Sequence, residues 1–481
     1  MPEPKRQSSQ PEIDRLVIVS NRLPVSLTRA DVGGWQVEPS LGGLVTALAP
    51  ILRDRGGLWV GWPGISEGID LDEVTARVGE GIGYELKPVM LTEEEIDGYY
   101  LGFSNEIIWP LFHDLQNFCK FDPAYWKMYQ AVNRKFADVV ARDVKKNDYV
   151  WVHDYHLMMV AKELHSMSVD CGVGFFLHTP FPPLDIFIKL PWRCQILQAL
   201  LEYDLLGFQT IRDRSNFIHC LEALIKGCRY DARRQVCAVA APGRKVKIGS
   251  FPISIDFDGF VREASDGLVT SRAKELREAV PNRQIILGVD RLDYSKGIPQ
   301  KLQAFGDALE RFKDLHGNVT LVQVVVPSRE DIPRYKDLKA EVEGLVSEIN
   351  GRFTRSGWVP IHYMFRSLER TELLAYYRAA EIALVTPLKD GMNLVAKEYC
   401  AAKLDKNGVL ILSEFAGAAT QLRRSSLLVN PYDIEGVADA IYQAYKMGVN
   451  ERRSRMRRLR RSIRKRDIFW WADSLLREAA S

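Results

Sequence analysis

The chain has 481 residues, 46% hydrophobic and 26% charged, with 65 basic against 62 acidic side chains and a formal net charge of +3. That length suits two domains with large cores, and the balanced charge excludes a nucleic-acid sponge or an acidic tail. Seven cysteines without a CxxC pair, no zinc spacing and no apolar run near 18 residues point to a reduced, cytoplasmic, soluble protein without a disulfide framework, metal site or membrane span.

Residues 1–14 are polar and rich in Pro and Ser, and read as a disordered leader. Leu16-Val17-Ile18-Val19-Ser20 then forms a continuous apolar run, as expected of a strand buried on both faces. A helix is expected to begin at the glycine turn Gly42-Gly43. Further short strands are expected at Leu58–Val60, Tyr149–Val152 and Val173–Leu177, with helices over Tyr125–Val140 and Leu157–Ser166. This alternation predicts βαβ units around a mainly parallel sheet.

Near Phe251–Asp256 the pattern pauses, and a second set begins. Strands are expected at Ile285–Val289, Val319–Val326, Ile382–Thr386 and Gly408–Leu412. Pro299 stands near the start of a helix with Leu302, Phe305, Leu309 and Phe312 at spacings of 3, 4 and 3. The fold class is therefore α/β, with two doubly wound halves facing a cleft. Arg452–Arg466 holds ten basic residues, but Met456, Leu459 and Ile463 recur at helical spacing. The expected element is an amphipathic helix with one packed stripe, not a nucleic-acid or membrane surface.

Doubly wound sheets bind ligands beyond the carboxyl ends of their strands, so the residues there carry the functional argument. Arg22 follows the first strand, His153-Asp154-Tyr155-His156 another, and His178-Thr179 a third. Arg291, Asp293, Tyr294 and Lys296 follow Ile285–Val289; Pro327-Ser328-Arg329 follow Val319–Val326; and Lys389, Asp390 and Gly391 follow Ile382–Thr386. Arg291 and Lys296, five residues apart beside a helix start, suit a diphosphate, although Asp293 could instead pair with either cation on the surface. Asp390 and Glu398 flank a helix start. Glu398, expected half-buried, needs partners such as vicinal ribose hydroxyls or a lysine. Strand alternation would put Asp154 and His156 on one side and His153 on the other, which disfavours a shared metal. Trp59, Trp62, Tyr100 and Trp109 could line a carbohydrate site or simply the core. There is no GxxxxGK[ST] loop and no GxGxxG after the first strand.

In order, the segments SNRLPV with SLGGLVTAL, GLWVGWPG, YYLGFSNEIIWPLFH, WVHDYHL, GFFLHTPFP, YDLLGFQT, GVDRLDYSKGIP, VVVPSRED and LVTPLKDGMNLVAKEY resemble the trehalose-6-phosphate synthases, glycosyltransferases of the family 20 type. The resemblance runs from about Arg15 to Asp473 and implies the GT-B fold, two Rossmann-like domains facing a cleft. It implies an N-terminal acceptor domain over 15–255, joined by a C-terminal helix at 466–481, and a nucleotide-sugar domain over 256–465. The reaction it implies is retaining, front-face transfer of glucose from UDP-glucose, or ADP- or GDP-glucose, to glucose 6-phosphate, giving α,α-trehalose 6-phosphate.

Carried over by motif, Arg291, Lys296, Asp154 and His178 are the catalytic set. Gly42, Gly43, His178, Arg291, Lys296, Asp390, Gly391, Met392, Asn393, Leu394, Val395 and Glu398 hold the donor. Arg22, Trp62, Tyr100, Trp109, Asp154 and Arg329 hold the acceptor. The resemblance implies no cofactor, no metal, and a homo-oligomer, dimer or tetramer. Lys389 stands where Arg is also common. A pseudo-glycosyltransferase joining cyclitols through nitrogen and a sugar-phosphate sensor are the alternatives. Retained Asp154, Tyr100 and Trp109 speak against the first, and the intact Arg291, Lys296, Asp390 and Glu398 against the second.

Overall fold

A computed structural model of the chain describes residues 13–29, 35–39, 43–66, 81–234, 236–239, 244–329 and 332–481. The expected leader lies outside the described residues apart from Ile13 and Asp14, and Gly42 of the expected glycine turn lies outside them too. The chain divides into two compact units, Met1–Phe251 with Phe469–Ser481, and Pro252–Ile468.

The apolar run after Ile13 becomes the strand Arg15–Arg22, whose interior is wholly buried. It pairs in parallel with Leu58–Trp62 on one side and with Asp148–His153 on the other. The described sheet of this unit continues outward to Glu85–Pro88 beyond Leu58–Trp62. Beyond Asp148–His153 it runs through Gly172–Leu177, Leu205–Phe208 and Lys245–Ser250 to the antiparallel strands Val236–Val239 and Cys228–Asp231. Strand order therefore reverses direction beside Arg15–Arg22. The switch point lies between Arg15–Arg22 and Asp148–His153, and doubly wound sheets bind ligands at the carboxyl ends of the strands flanking such a point.

The second unit repeats this arrangement with a six-stranded parallel sheet in the order Ile361–Phe365, Val319–Val326, Gln284–Arg291, Ile382–Val385, Val409–Ser413, Leu427–Val429. Its switch point lies between Gln284–Arg291 and Ile382–Val385. Ile298, Leu302, Phe305 and Leu309 of the helix Ile298–Arg311 are fully buried against this sheet, and Phe312 ends the helix while packing on the same core. The stripe in 452–466 behaves similarly. Within the helix Val449–Lys465, Met456, Leu459 and Ile463 are buried. Two of its arginines hold neighbouring backbone: Arg452 donates to the carbonyls of Ala444 and Met447, and Arg460 to those of Cys400 and Ala401.

The last helix, Ile468–Ala480, belongs largely to the first unit. Trp471 is fully buried, stacks on Trp151 at 4.8 Å and donates to the Phe251 carbonyl at 3.0 Å. Elsewhere the periodicity misleads. Leu157–Ser166 is not one helix: a 3-10 turn, Tyr155–Leu157, precedes the helix Val160–Ser166. Ile96–Ile108 is a π-helix, so Tyr99 and Tyr100 ride on a wider spiral than an α-helix provides. All seven cysteines are free thiols, and no described helix is long and apolar enough to cross a membrane.

Candidate active site

In the second unit, the strand Gln284–Arg291 delivers its chain to the switch point. Asp293 accepts the Ser295 amide at 2.9 Å and so caps a 3-10 turn, Tyr294–Lys296. Gly297 follows in the left-handed region at φ 63, where a Cβ would press on Leu388 and on the Thr386 carbonyl, and Ile298–Arg311 begins. The Ser295 carbonyl takes the Leu388 amide at 2.8 Å, which ties together the loops on either side of the switch point. Lys296 Nζ then meets Asp390 Oδ2 at 2.6 Å. Asp390 also accepts the Met392 amide at 3.1 Å and the Asn393 side-chain amide at 3.2 Å. Asn393, at φ 59, caps the helix Leu394–Ala402 through the Ala396 amide. Gly391, Met392, Asn393, Leu394 and Val395 thus form a laced loop leading into a helix start, an arrangement that presents backbone N–H groups to an anion or hydroxyl.

Glu398 lies one turn into that helix and is almost fully buried, not half-buried. Its partner is Tyr377, whose hydroxyl donates to Oε2 at 2.9 Å, and no lysine among the described residues takes that role. Burial pushes the Glu398 carboxyl above its ordinary range, against the opposing pull of Arg370 and the Tyr377 hydroxyl. A buried carboxylate with one neutral donor retains acceptor capacity for vicinal hydroxyls.

The expectation for Asp293 is corrected by its burial. It lies inside the unit and pairs with Arg329, whose Nη1 is at 3.4 Å. Tyr335 completes the cluster, accepting from Arg329 at 2.7 Å and standing 3.4 Å from Asp293. Arg329 has φ 52, an uncommon backbone for a non-glycine residue, and its side chain is only 8% exposed. One carboxylate therefore anchors both the turn between Arg291 and Lys296 and the guanidinium of Arg329. Arg291 stands at the strand end, largely exposed.

In the first unit, Arg22 lies over the Trp62 ring at 4.5 Å from its centroid. Gly64, at φ 94, leaves the space the guanidinium fills. Burial lowers the Arg22 pKa, opposed by Tyr100. Tyr100 meets Trp62 edge-on at 5.6 Å and stacks on His156 at 6.0 Å. Trp109 is buried against His113 and Tyr155. Arg22, Trp62, Tyr100 and His156 thus form one contiguous group, while Trp59 is core, its indole bonded to Ser20 Oγ at 2.8 Å. Gly43 is the first residue of the helix Gly43–Arg55.

Strand alternation does not govern the HDYH segment. Asp148–His153 ends at His153, and Asp154 takes φ 72 and ψ 168, a region adopted almost only by glycine. That conformation lets Asp154 Oδ1 accept the His178 amide at 3.2 Å while the Asp154 amide bonds to the Phe176 carbonyl at 2.8 Å. His178 is buried, and its Nε2 lies 3.0 Å from His153 Nδ1. Burial lowers the His178 pKa to about 3, so the ring is neutral at physiological pH and has no proton to give as an acid. Among the described residues, no group of three or more His, Cys, Asp or Glu could hold a metal ion. Sequence reasoning missed Tyr377, Tyr335, Gly64 and the pairing of His153 with His178, none of which carries a local signal.

The family model for glycosyltransferase family 20 matches residues 14–481. The chain belongs to glycosyltransferase family 20. It is 42% identical over 470 residues to a trehalose-6-phosphate synthase of Mycolicibacterium gilvum, covering 97% of this chain and 93% of the relative. The synthase of Mycobacterium leprae is 44% identical over 96% of this chain and 93% of its own. Among solved structures, a UDP-forming synthase of Burkholderia xenovorans in complex with glucose-6-phosphate superposes with a TM-score of 0.87 at 34% identity, over 97% of this chain and 100% of that one. An E. coli structure bound with UDP-2-fluoro glucose gives 0.87 at 35%, over 97% and 99%. The two parallel sheets, each reversing order beside its first strand, are the halves of a GT-B glycosyltransferase.

Proposed function

We propose that this family 20 member makes trehalose 6-phosphate in the cytoplasm as a homo-oligomer, transferring glucose from UDP-glucose to glucose 6-phosphate with retention of the α configuration. The observation that carries the reading is the Lys296–Asp390 pair at the switch point of the second unit. A cation suited to a diphosphate and a carboxylate suited to sugar hydroxyls are held 2.6 Å apart there, beside two helix starts. When the donor arrives, Lys296 turns to the diphosphate with Arg291, and Asp390 takes hydroxyls of the glucosyl group. Gly391, Met392, Asn393, Leu394 and Val395 supply backbone donors, and Gly42 and Gly43 serve the donor phosphates. Glu398, steadied by Tyr377, accepts from the ribose hydroxyls.

For the acceptor, Arg22, Tyr100, Trp109 and Arg329 address the phosphate, while Trp62 and Asp154 address the sugar. The C1–oxygen bond to the diphosphate breaks as the acceptor hydroxyl attacks C1 from the same face, and the departing phosphate oxygen takes the hydroxyl proton. Arg291 and Lys296 stabilise the charge that develops on the leaving group. No protein nucleophile enters this scheme. The neutral His178 fits it as well, holding a donor hydroxyl without donating a proton as an acid.

The names of the relatives and the ligands of the two solved structures support this choice of substrates. The test is UDP release from UDP-glucose with and without glucose 6-phosphate, in wild type and Arg291→Ala, in chelator-treated buffer. Acceptor-dependent release that is lost in the variant is expected. Tight binding of both ligands without turnover would overturn the reading in favour of a sugar-phosphate sensor.

A further inference from the structure

We propose that the buried ion pair of Asp290 and Lys301 is a positioning pair that closes the base of the loop carrying Arg291 and Lys296, and so sets those two cations against the donor diphosphate. The inference rests on the reading above that Arg291 and Lys296 meet that diphosphate.

Asp290 immediately precedes Arg291 on the strand Gln284–Arg291, and Lys301 lies in the first turn of the helix Ile298–Arg311. The two stand 11 positions apart, one on each side of the loop, and Lys301 Nζ bonds Asp290 Oδ2 across its base. Side-chain exposure is 0% for the lysine and 3% for the aspartate, so water does little to screen the pair. Gln323, on the neighbouring strand, donates from Nε2 to the same oxygen at 3.0 Å. Gly288 is its partner in the strand register, and a Cβ at 288 would overlap the Gln323 amide.

Packing does not require this pair. Ile298, Leu302, Phe305 and Leu309 already bury the helix against the sheet. Taking two charges out of water is unfavourable, and apolar residues of similar volume often hold a core as well or better. What the pair adds is direction. A charged hydrogen bond fixes the strand end relative to the helix start, where apolar contact leaves latitude.

Two backbone bonds carry that constraint into the loop. The Leu292 amide donates to the Val326 carbonyl at 2.8 Å, and the Lys296 amide donates to the Asp293 carbonyl at 3.0 Å. The Arg291 backbone is therefore held on both sides, by Asp290 and by Leu292. Its side chain is long and exposed, so the anchor decides where the charge can reach. A misplacement of about 1 Å at a catalytic group costs roughly 100-fold in rate. Arg329 is secured separately, through Asp293 and Tyr335, so the acceptor side does not depend on the pair.

Steady-state kinetics and denaturant titrations of the full chain compare wild type with Lys301→Met, Asp290→Leu/Lys301→Met and Lys301→Arg. Lys301→Met strands a buried carboxylate and should lower both the denaturation midpoint and the activity. The double substitution leaves neither charge, and Gln323 keeps the Val324 carbonyl at 3.2 Å, so the midpoint should return toward wild type. Its kcat/KM for UDP-glucose should nevertheless stay about 10- to 100-fold low, with the KM for glucose 6-phosphate within about twofold. Lys301→Arg keeps a charged donor for Asp290 and should retain most of the donor kcat/KM. Recovery of kcat/KM together with the midpoint in the double variant would reduce the pair to a core contact and overturn the inference. Lys301→Arg as impaired as Lys301→Met would overturn it too.

A second measurement needs no turnover, so it separates this inference from failure of the proposed activity. Hydrogen exchange of the free protein should show the Leu292 and Lys296 amides opening about 10-fold faster or more in the double variant, with the amides of Val319–Val326 unchanged. Unchanged protection of Leu292 and Lys296 would contradict the pair's role whatever the substrates. Where the double variant does not regain its midpoint, the same exchange read on Lys301→Met decides. Fast exchange confined to 291–297 supports the role, and fast exchange throughout the unit overturns it.

Discussion

Gly64→Ala tests whether Arg22 is held for the acceptor phosphate. Gly64 has φ 94, and a Cβ there would overlap Arg22 Nη2 and Cζ and come within 2.7 Å of Nη1. Two effects follow, and they can be separated. The backbone strain of an L-residue in this region is about 1–2 kcal/mol. Gly56, at φ 72, has no atom within 4 Å of the place an added methyl would occupy, so Gly56→Ala carries a similar strain with no overlap. Only Gly64→Ala also drives the guanidinium off the Trp62 face, where it now lies 4.5 Å from the centroid. A charge-assisted contact to phosphate is worth about 1.5–3 kcal/mol, or roughly 10- to 150-fold in affinity. Steady-state kinetics should show the KM for glucose 6-phosphate rising by that factor in Gly64→Ala while the KM for UDP-glucose stays within about twofold. Gly56→Ala should lower the denaturation midpoint and leave both KM values alone. An unchanged acceptor KM in Gly64→Ala, or an equal rise for both substrates, would refute the assignment of Arg22.

Other substitutions probe the second unit. Asp293→Asn removes the buried charge beside Arg329 and should lower unfolding free energy by about 3–5 kcal/mol in denaturant titrations. It should also raise the acceptor KM more than Tyr335→Phe does. Tyr377→Phe deletes a contact that favours ionised Glu398, whose carboxyl burial already raises. With Glu398 accepting from the ribose hydroxyls as proposed, donor binding weakens as pH falls through that raised pKa, so the acidic limb of UDP-glucose affinity should move to higher pH in the variant. Calorimetric binding across the acidic and neutral range measures the shift. Lys397 is buried, donates to the Ile253 carbonyl at 2.6 Å, and has its pKa lowered to about 7. Between that value and 10.5 the unfolded chain binds the extra proton, so this group makes stability rise with pH, by at most about 1.4 kcal/mol per unit. Lys397→Met should flatten that slope in denaturant titrations run at several pH values.

The strands and their order of appearance were legible because parallel strands buried on both faces read as unbroken apolar runs, as in Leu16–Ser20 and Val319–Val326. The polar residues just past those runs pointed to the carboxyl ends of the strands, where doubly wound sheets bind ligands. What lay beyond reach depended on contacts across the fold. Asp293 looks like a surface carboxylate beside two cations until Tyr335, 42 positions later, covers it. His153 reads as a strand-end histidine until His178 arrives from the next strand. Asp154 carries no mark of its positive φ, because a glycine-like backbone at an aspartate is imposed by its partners at Phe176 and His178. The π-helix at Ile96–Ile108 keeps an apolar pattern that fits an ordinary helix as well.

Glucosyl transfer with retention onto the anomeric oxygen of glucose 6-phosphate stands or falls on the structure of the product. NMR of the compound made from UDP-glucose labelled with 13C at C1 reads that structure without further assumptions. The expected product is a non-reducing disaccharide phosphate whose labelled carbon shows the α coupling and a linkage to the second anomeric carbon, with UDP released in equal amount. A β linkage, a reducing product, or free glucose as the only labelled species would contradict it.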